Sequence, residues 1–299
     1  MQPHGSISIM TRCCRAAVLA IAPWIMTIPA WAADPFRSGT QARPISDQTE
    51  AVFEAIFRDG HYRKGKDLLP AALQSDRREP LTLTLAAGIA YLDQDWETYR
   101  QFSEQTLRAA QNLGDRDPLR SNLYQAVGHF LLAAYEISDA GAGPFLGASA
   151  ALLRVQQMFR FLDQAEAIDA NDPELNLIRG YIEWGVANNI GFFDSEAAVQ
   201  RLQNRAAPTY LSYRGTALAY RDSNQLPLAL TAVDRALGAA PHNPELLYLK
   251  AQILRMSGNY ENSRSYLDRA LAQRDQLPSE VVREMLAASQ EIDAIVERQ

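Results

Sequence analysis

The chain has 299 residues and 33.2 kDa, with 47% apolar and 21% charged side chains, the balance of a folded globular protein and not of a disordered one. Its formal charge is −6, and setting aside residues 1–32, which hold Arg12 and Arg15 and no acid, leaves 27 basic and 35 acidic side chains, a charge of −8. That disfavours nucleic acid as a partner, because no basic stripe remains to replace counterions.

The N-terminus reads as a secretory signal: Arg12 and Arg15, an apolar run from Ala16 to Pro29, and Ala30-Trp31-Ala32 as a small-x-small cleavage site. The run is shorter than the roughly 20 residues that span a bilayer and contains Pro23 and Pro29, so cleavage after Ala32 is expected, not an anchor. Cys13 and Cys14 leave with it, so the mature chain has no disulfide, thiol nucleophile or thiolate metal site and depends on packing. No later segment is long and apolar enough to cross a membrane. An exported, soluble, extracytoplasmic protein is expected.

Residues 33–45, with Pro35, Gly39 and Pro44, read as an extended lead-in. Beyond them the chain repeats. Asp234-Arg235-Ala236-Leu237 recurs as Asp268-Arg269-Ala270-Leu271 at an offset of 34, and Ala217 aligns with Ala251 at the same offset. With Pro244 as position one of a unit, small residues fall at position 8 (Ala87, Gly180, Ala217, Ala251), position 20 (Ala229, Ser263) and position 27 (Ala165, Ala236, Ala270). Two antiparallel helices approach closely only where side chains are small, so each of these marks a helix crossing. Gly60-His61-Tyr62, Gln94-Asp95-Trp96 and Gly258-Asn259-Tyr260 mark the turns, each ending in an aromatic that packs back on the first helix.

This pattern resembles the tetratricopeptide repeat (TPR), most strongly over residues 210–277. The resemblance implies an all-α, right-handed superhelix of antiparallel helix pairs. The units are 46–79, 80–117, 118–172, 173–209, 210–243 and 244–277, the third overlong and the fourth carrying extra residues around Ala187-Asn188-Asn189. Residues 278–299 form a capping helix, with Val281, Val282, Met285, Leu286, Ile292 and Ile295 on its apolar face. Asp34-Pro35-Phe36-Arg37, Ala42-Arg43-Pro44-Ile45, the run from Asp47 to Phe57 and Gly60-His61-Tyr62 also resemble the start of an exported cyanobacterial TPR family without an established biochemical role. That resemblance implies export and the repeat fold, and it brings no catalytic residues.

Chemistry is sparse. His61, His129 and His242 have no ligand spacing, and the glycine-rich stretch Gly141 to Gly147 lacks the lysine of a phosphate loop, so no metal, cofactor or catalytic residue is expected. Binding remains. TPR geometry places positions 2, 5, 9, 12 and 13 of each first helix on the concave face, which here gives Tyr91, Leu92, Leu177, Tyr181, Trp184, Arg214, Leu218, Arg221, Tyr248, Gln252 and Arg255. Tyr, Trp and Arg dominate binding hot spots, and a row of arginines suits an acidic or carboxylate ligand. A second apolar patch is expected where the irregular turns meet, at Phe145, Leu146, Ile190, Phe192 and Phe193, facing a membrane or another copy. The favoured function is an exported scaffold for a protein or peptide partner in the cell envelope; the alternative is an envelope enzyme, or its accessory subunit, with active groups in the groove.

Overall fold

The computed structural model describes residues 34–190 and 195–296, with backbone only for 187–190 and 195. Among these residues there are fourteen α-helices and no strand. They form successive pairs: α1 (Asp47–Phe53, continued by a π-helical stretch, Glu54–Arg58) with α2 (Tyr62–Ser75), and α3 (Pro80–Leu92) with α4 (Trp96–Leu113). Next come α5 (Pro118–Ile137) with α7 (Ala148–Ile168), joined through the single turn α6 (Gly143–Leu146), and α8 (Pro173–Ile190) with α9 (Ser195–Arg205). The last pairs are α10 (Thr209–Asp222) with α11 (Leu226–Ala239) and α12 (Pro244–Met256) with α13 (Tyr260–Leu271); the single helix α14 (Ser279–Val296) lies on α13.

Local chemistry sets these boundaries. Four of the six first helices, α3, α5, α8 and α12, begin with proline at the first turn, where no N–H is needed, behind a polar cap. Glu79 accepts from the Leu81 amide, Asp117 from Arg120, Asp172 from Leu175, and Asn243 from both Glu245 and Leu246. Four of the six first helices, α1 with its π-helical extension, α3, α10 and α12, stop where one residue takes a left-handed backbone. That residue is Gly60, Gln94, Asn224 or Gly258, with φ from 56° to 76°, and all four occupy position 15 of their units. The next residue caps the second helix: His61, Asp95 and Asn259 accept from the amides of Lys64, Thr98 and Asn262.

The small residues do mark the crossings. Ala87, Ala217, Ala165, Ala229, Ala236 and Ala270 are fully buried, a Cβ on Gly180 would lie 2.7 Å from Leu202, and Ser263 donates across the crossing to the Ala251 carbonyl at 2.7 Å. Fully buried Leu123, Met158, Leu162, Leu202 and Leu267 fill the layers between helices, each stabilising the fold by about 1.5–3 kcal/mol. At the C-terminal end Met285 and Ile292 of α14 cover Leu247, Leu267 and Ala270.

The helix pairs also come back on themselves. The turn between the two helices of the first unit meets the start of α12: the Asn243 side chain donates to the carbonyls of Phe57 and Arg58, and the Tyr62 hydroxyl donates to Glu245 at 2.9 Å.

Candidate interaction surfaces

The lead-in is built into the fold. Arg37, 5% exposed at its side chain, donates to Asp34, to both oxygens of Asp172 and to Glu174 at 2.6–3.0 Å. Glu174, fully buried, also accepts from Tyr124 at 2.5 Å and from Arg120, which reaches Glu79 on its other side, while Arg43 pairs with Asp117. Burial would raise the Glu174 carboxyl, but Arg120, Arg37 and the Tyr124 hydroxyl outweigh it and hold the group below its ordinary range. Burial likewise works against the charge on Arg37, and the surrounding carboxylates overcome it. The starts of α3, α5 and α8 are therefore tied to the first described residues by paired charges. Sequence reading missed this cluster because acids ahead of helices look like ordinary caps, and Arg37 lies 135 residues from Asp172.

The expected concave residues divide into two groups. At the inner group, Leu177 is buried in the core, Tyr181 donates to the Leu211 carbonyl at 2.8 Å, and Arg214 donates to Glu245 at 3.2 Å, beside the incoming Tyr62. Burial pushes the Tyr181 hydroxyl up to about 12. Arg214 is thus part of the closure between units.

The outer group lies nearer the C-terminal ends of α8, α10 and α12 and is linked helix to helix. The Trp184 indole donates to Asp222 at 3.2 Å, Arg221 to Gln252 at 2.7 Å, and Arg255 of α12 to Glu291 of α14 at 3.2 Å. Leu218 and Tyr248 are half-buried in the same stretch. Tyr91 and Leu92 are exposed at 46% and 40%, and Tyr91 packs edge-to-face on Trp96 within its own unit. Glu291, the partner of Arg255, is 60% exposed, and a pair of that kind contributes at most about 1 kcal/mol. An incoming carboxylate can replace it at little cost.

The second expected patch is described in part: Phe192, Phe193 and the side chain of Ile190 lie outside the described residues. Phe145 and Leu146 are 92% and 82% exposed at the end of the α5–α7 hairpin. They sit on the ordered turn α6 and not in the flexible loop that their glycines suggest. The Ala142 amide bonds the Glu136 carbonyl and the Gly143 amide bonds Ser138, so glycine and alanine wrap the end of α5.

The histidines are dispersed. His61 is a helix cap, His129 stacks on Phe161 at 5.6 Å, and His242 lines a cleft of about 410 Å³ with Arg58, Asp59 and Gln273 where the first and sixth units meet. Among the described residues no group of three or more His, Cys, Asp or Glu side chains is placed to hold a metal.

Residues 214–278 match the family model described as tetratricopeptide repeat. No curated protein sequence matches the chain. Among solved structures, the type IV pilus biogenesis factor PilW is 18% identical, aligned over 85% of this chain and 92% of its own, with a TM-score of 0.37. The TPR2AB domain of yeast Sti1 in complex with pHSP90 is 14% identical over 83% of this chain and 97% of its own, with a TM-score of 0.36. Two adjacent helix pairs at a 34-residue spacing, α10–α11 and α12–α13, with buried small residues at their crossings, carry the tetratricopeptide-repeat match, and the described residues around them continue the same all-α solenoid of helix pairs.

Proposed function

We propose that this protein is an exported scaffold that holds a protein or peptide partner in the cell envelope, through the outer row Trp184, Leu218, Arg221, Tyr248, Gln252 and Arg255. The observation that carries the reading is the linkage of this row across four helices, with Arg255 held by an exposed carboxylate that a ligand can displace. The inner end of the same face is taken by Tyr62 and the lead-in, which leaves the outer row as the accessible part. Aromatic rings beside guanidinium groups suit an extended segment with acidic side chains or a terminal carboxylate. The export half rests on residues 1–32.

The test is photocrosslinking from an unnatural residue at position 218 or 252 in intact cells, beside Arg221→Ala/Arg255→Ala. A defined adduct that falls several-fold in the double variant and weakens with salt supports the reading. Equal crosslinking by both proteins, or a precursor that stays uncleaved in the cytoplasm, overturns it.

A further inference from the structure

The α5–α7 hairpin holds the longest helices among the described residues, 20 and 21 residues, and its end carries no formal charge from Ala140 to Leu153. Over that stretch Phe145 is 92% exposed, Leu146 82%, Leu152 58% and Leu153 62%, and Ile137 opposite them is 47% exposed. Together these side chains offer on the order of 600 Å² of apolar surface, at the upper end of what a monomer ordinarily shows and close to the roughly 800 Å² per partner of a stable dimer.

A protruding apolar knob needs a hollow, and the same hairpin supplies one. His129 and Glu136 of α5 with Ala150, Leu153, Arg154 and Gln157 of α7 line an open cleft of about 260 Å³. A cavity of about 150 Å³ already accepts a benzene ring, so a phenyl side chain fits. From Leu146 to the middle of the α7 lining is about 12 Å along the helix axis. Two hairpins laid antiparallel with that overlap place each tip in the other's cleft, the self-complementary arrangement that a two-fold axis requires.

We propose that this hairpin joins two copies of the chain, with Phe145 of each seated in the His129–Leu153 cleft of the other. The knob is preorganised: the Gly147 amide bonds the Gly143 carbonyl at 2.9 Å, and any side chain at Gly147 would fall onto the Glu136 carbonyl. A lipid surface fits less well. It has no use for the cleft, and the charges nearest the tip, Glu136, Asp139 and Arg154, are net negative and unfavourable toward anionic headgroups.

Sedimentation of the protein from Ala33 onward, which holds every described residue, tests this. The expected result is a concentration-dependent dimer. Phe145→Asp and, on the opposite side of the contact, Ala150→Trp should each raise its dissociation constant by at least about tenfold with helicity unchanged. Because the chain has no cysteine beyond Cys14, Leu146→Cys on one copy and Gln157→Cys on another should be joined by a short bismaleimide on mixing, more than either variant with itself. If Phe145→Asp fails to fold, the Ala150→Trp and cross-linking results decide. A monomer at every concentration, or a dimer indifferent to both substitutions, overturns the proposal. Flotation with anionic vesicles that Phe145→Asp abolishes would overturn it in favour of lipid.

Discussion

The side-chain amide of Asn243 donates to the carbonyl of Phe57, 186 residues earlier, at 3.1 Å, and to that of Arg58 at the same distance. The other half of the same amide, its oxygen, accepts from the Glu245 and Leu246 amides at the start of α12. One residue therefore satisfies the last carbonyls of the first unit's opening helix and the first amides of the sixth unit's. In an open solenoid each repeat touches only its neighbours, and this contact adds a long-range one.

Asn243→Asp separates the two roles. Asp keeps the acceptor that caps α12 and loses the donor to Phe57 and Arg58, whereas Asn243→Ala loses both. Loss of the cap costs about 1 kcal/mol and an unpaired buried carbonyl about 1–3 kcal/mol. We expect both variants to be less stable in urea, Ala by about 2–4 kcal/mol, and hydrogen exchange in residues 47–75 to accelerate in both. Exchange that stays slow in Asn243→Asp would show that the Phe57 contact adds nothing.

Glu174→Gln should be among the most damaging single substitutions. It keeps the shape but leaves Arg37 and Arg120 without their shared carboxylate, and breaking a buried charge network of this kind costs about 3–5 kcal/mol. The folded Glu174 carboxyl lies below its ordinary value of 4.5, so its stabilisation is complete above that value and is lost as pH falls through the folded one. The stability gap between wild type and Glu174→Gln, read by chemical denaturation, should hold from pH 7 to 5 and close at lower pH.

How much of this was legible follows from where each constraint is local. The 34-residue spacing, Ala217 and Ala251, Ala236 and Ala270 are one crossing written twice, and their burial follows from sequence alone. The left-handed position 15 was readable where it is Gly60 or Gly258, and less so at Gln94 and Asn224. The closure through Tyr62, Asn243 and Glu245 was not readable, because it depends on the curvature summed over five units. The same curvature turned Arg214 from an expected wall residue into a partner of Glu245. Trp184, Arg221 and Arg255 were identified by helix position, but the acids that hold them come from Asp222 and from Glu291 of the capping helix.

His129 gives a second pH signature. Burial, then Arg154 and Arg160, push its imidazole from 6.5 down to about 4, with Glu136 the acid lining the same cleft. The unfolded chain takes up this proton near pH 6.5 and the folded chain only near pH 4, so the contribution is present above 6.5 and is lost as pH falls toward 4. Stability should decline between pH 6.5 and 5 in the wild type and be flatter in His129→Gln. Parallel profiles for the two proteins, measured as urea midpoints, would assign the decline to other groups.

The capping helix offers the last test. Without α14 the face formed by Leu247, Leu267 and Ala270 meets water, together with half-buried Tyr266 and Leu271. Two ion pairs go with it, Arg255 to Glu291 and Arg264 to Asp293, but both are exposed and contribute little. The loss is therefore apolar, and Met285→Ala, which opens a cavity at a fully buried site, should alone cost about 2–5 kcal/mol. Because the start of α12 also holds the first unit, through Glu245 and its cap Asn243, fraying should not stay at the C-terminus. Removing residues 279–299 should produce aggregation, or a broadened melt in which residues 47–75 lose protection along with 244–271. A truncated protein that melts as sharply as the full chain and sediments as the same species would show that α14 does not act as a cap.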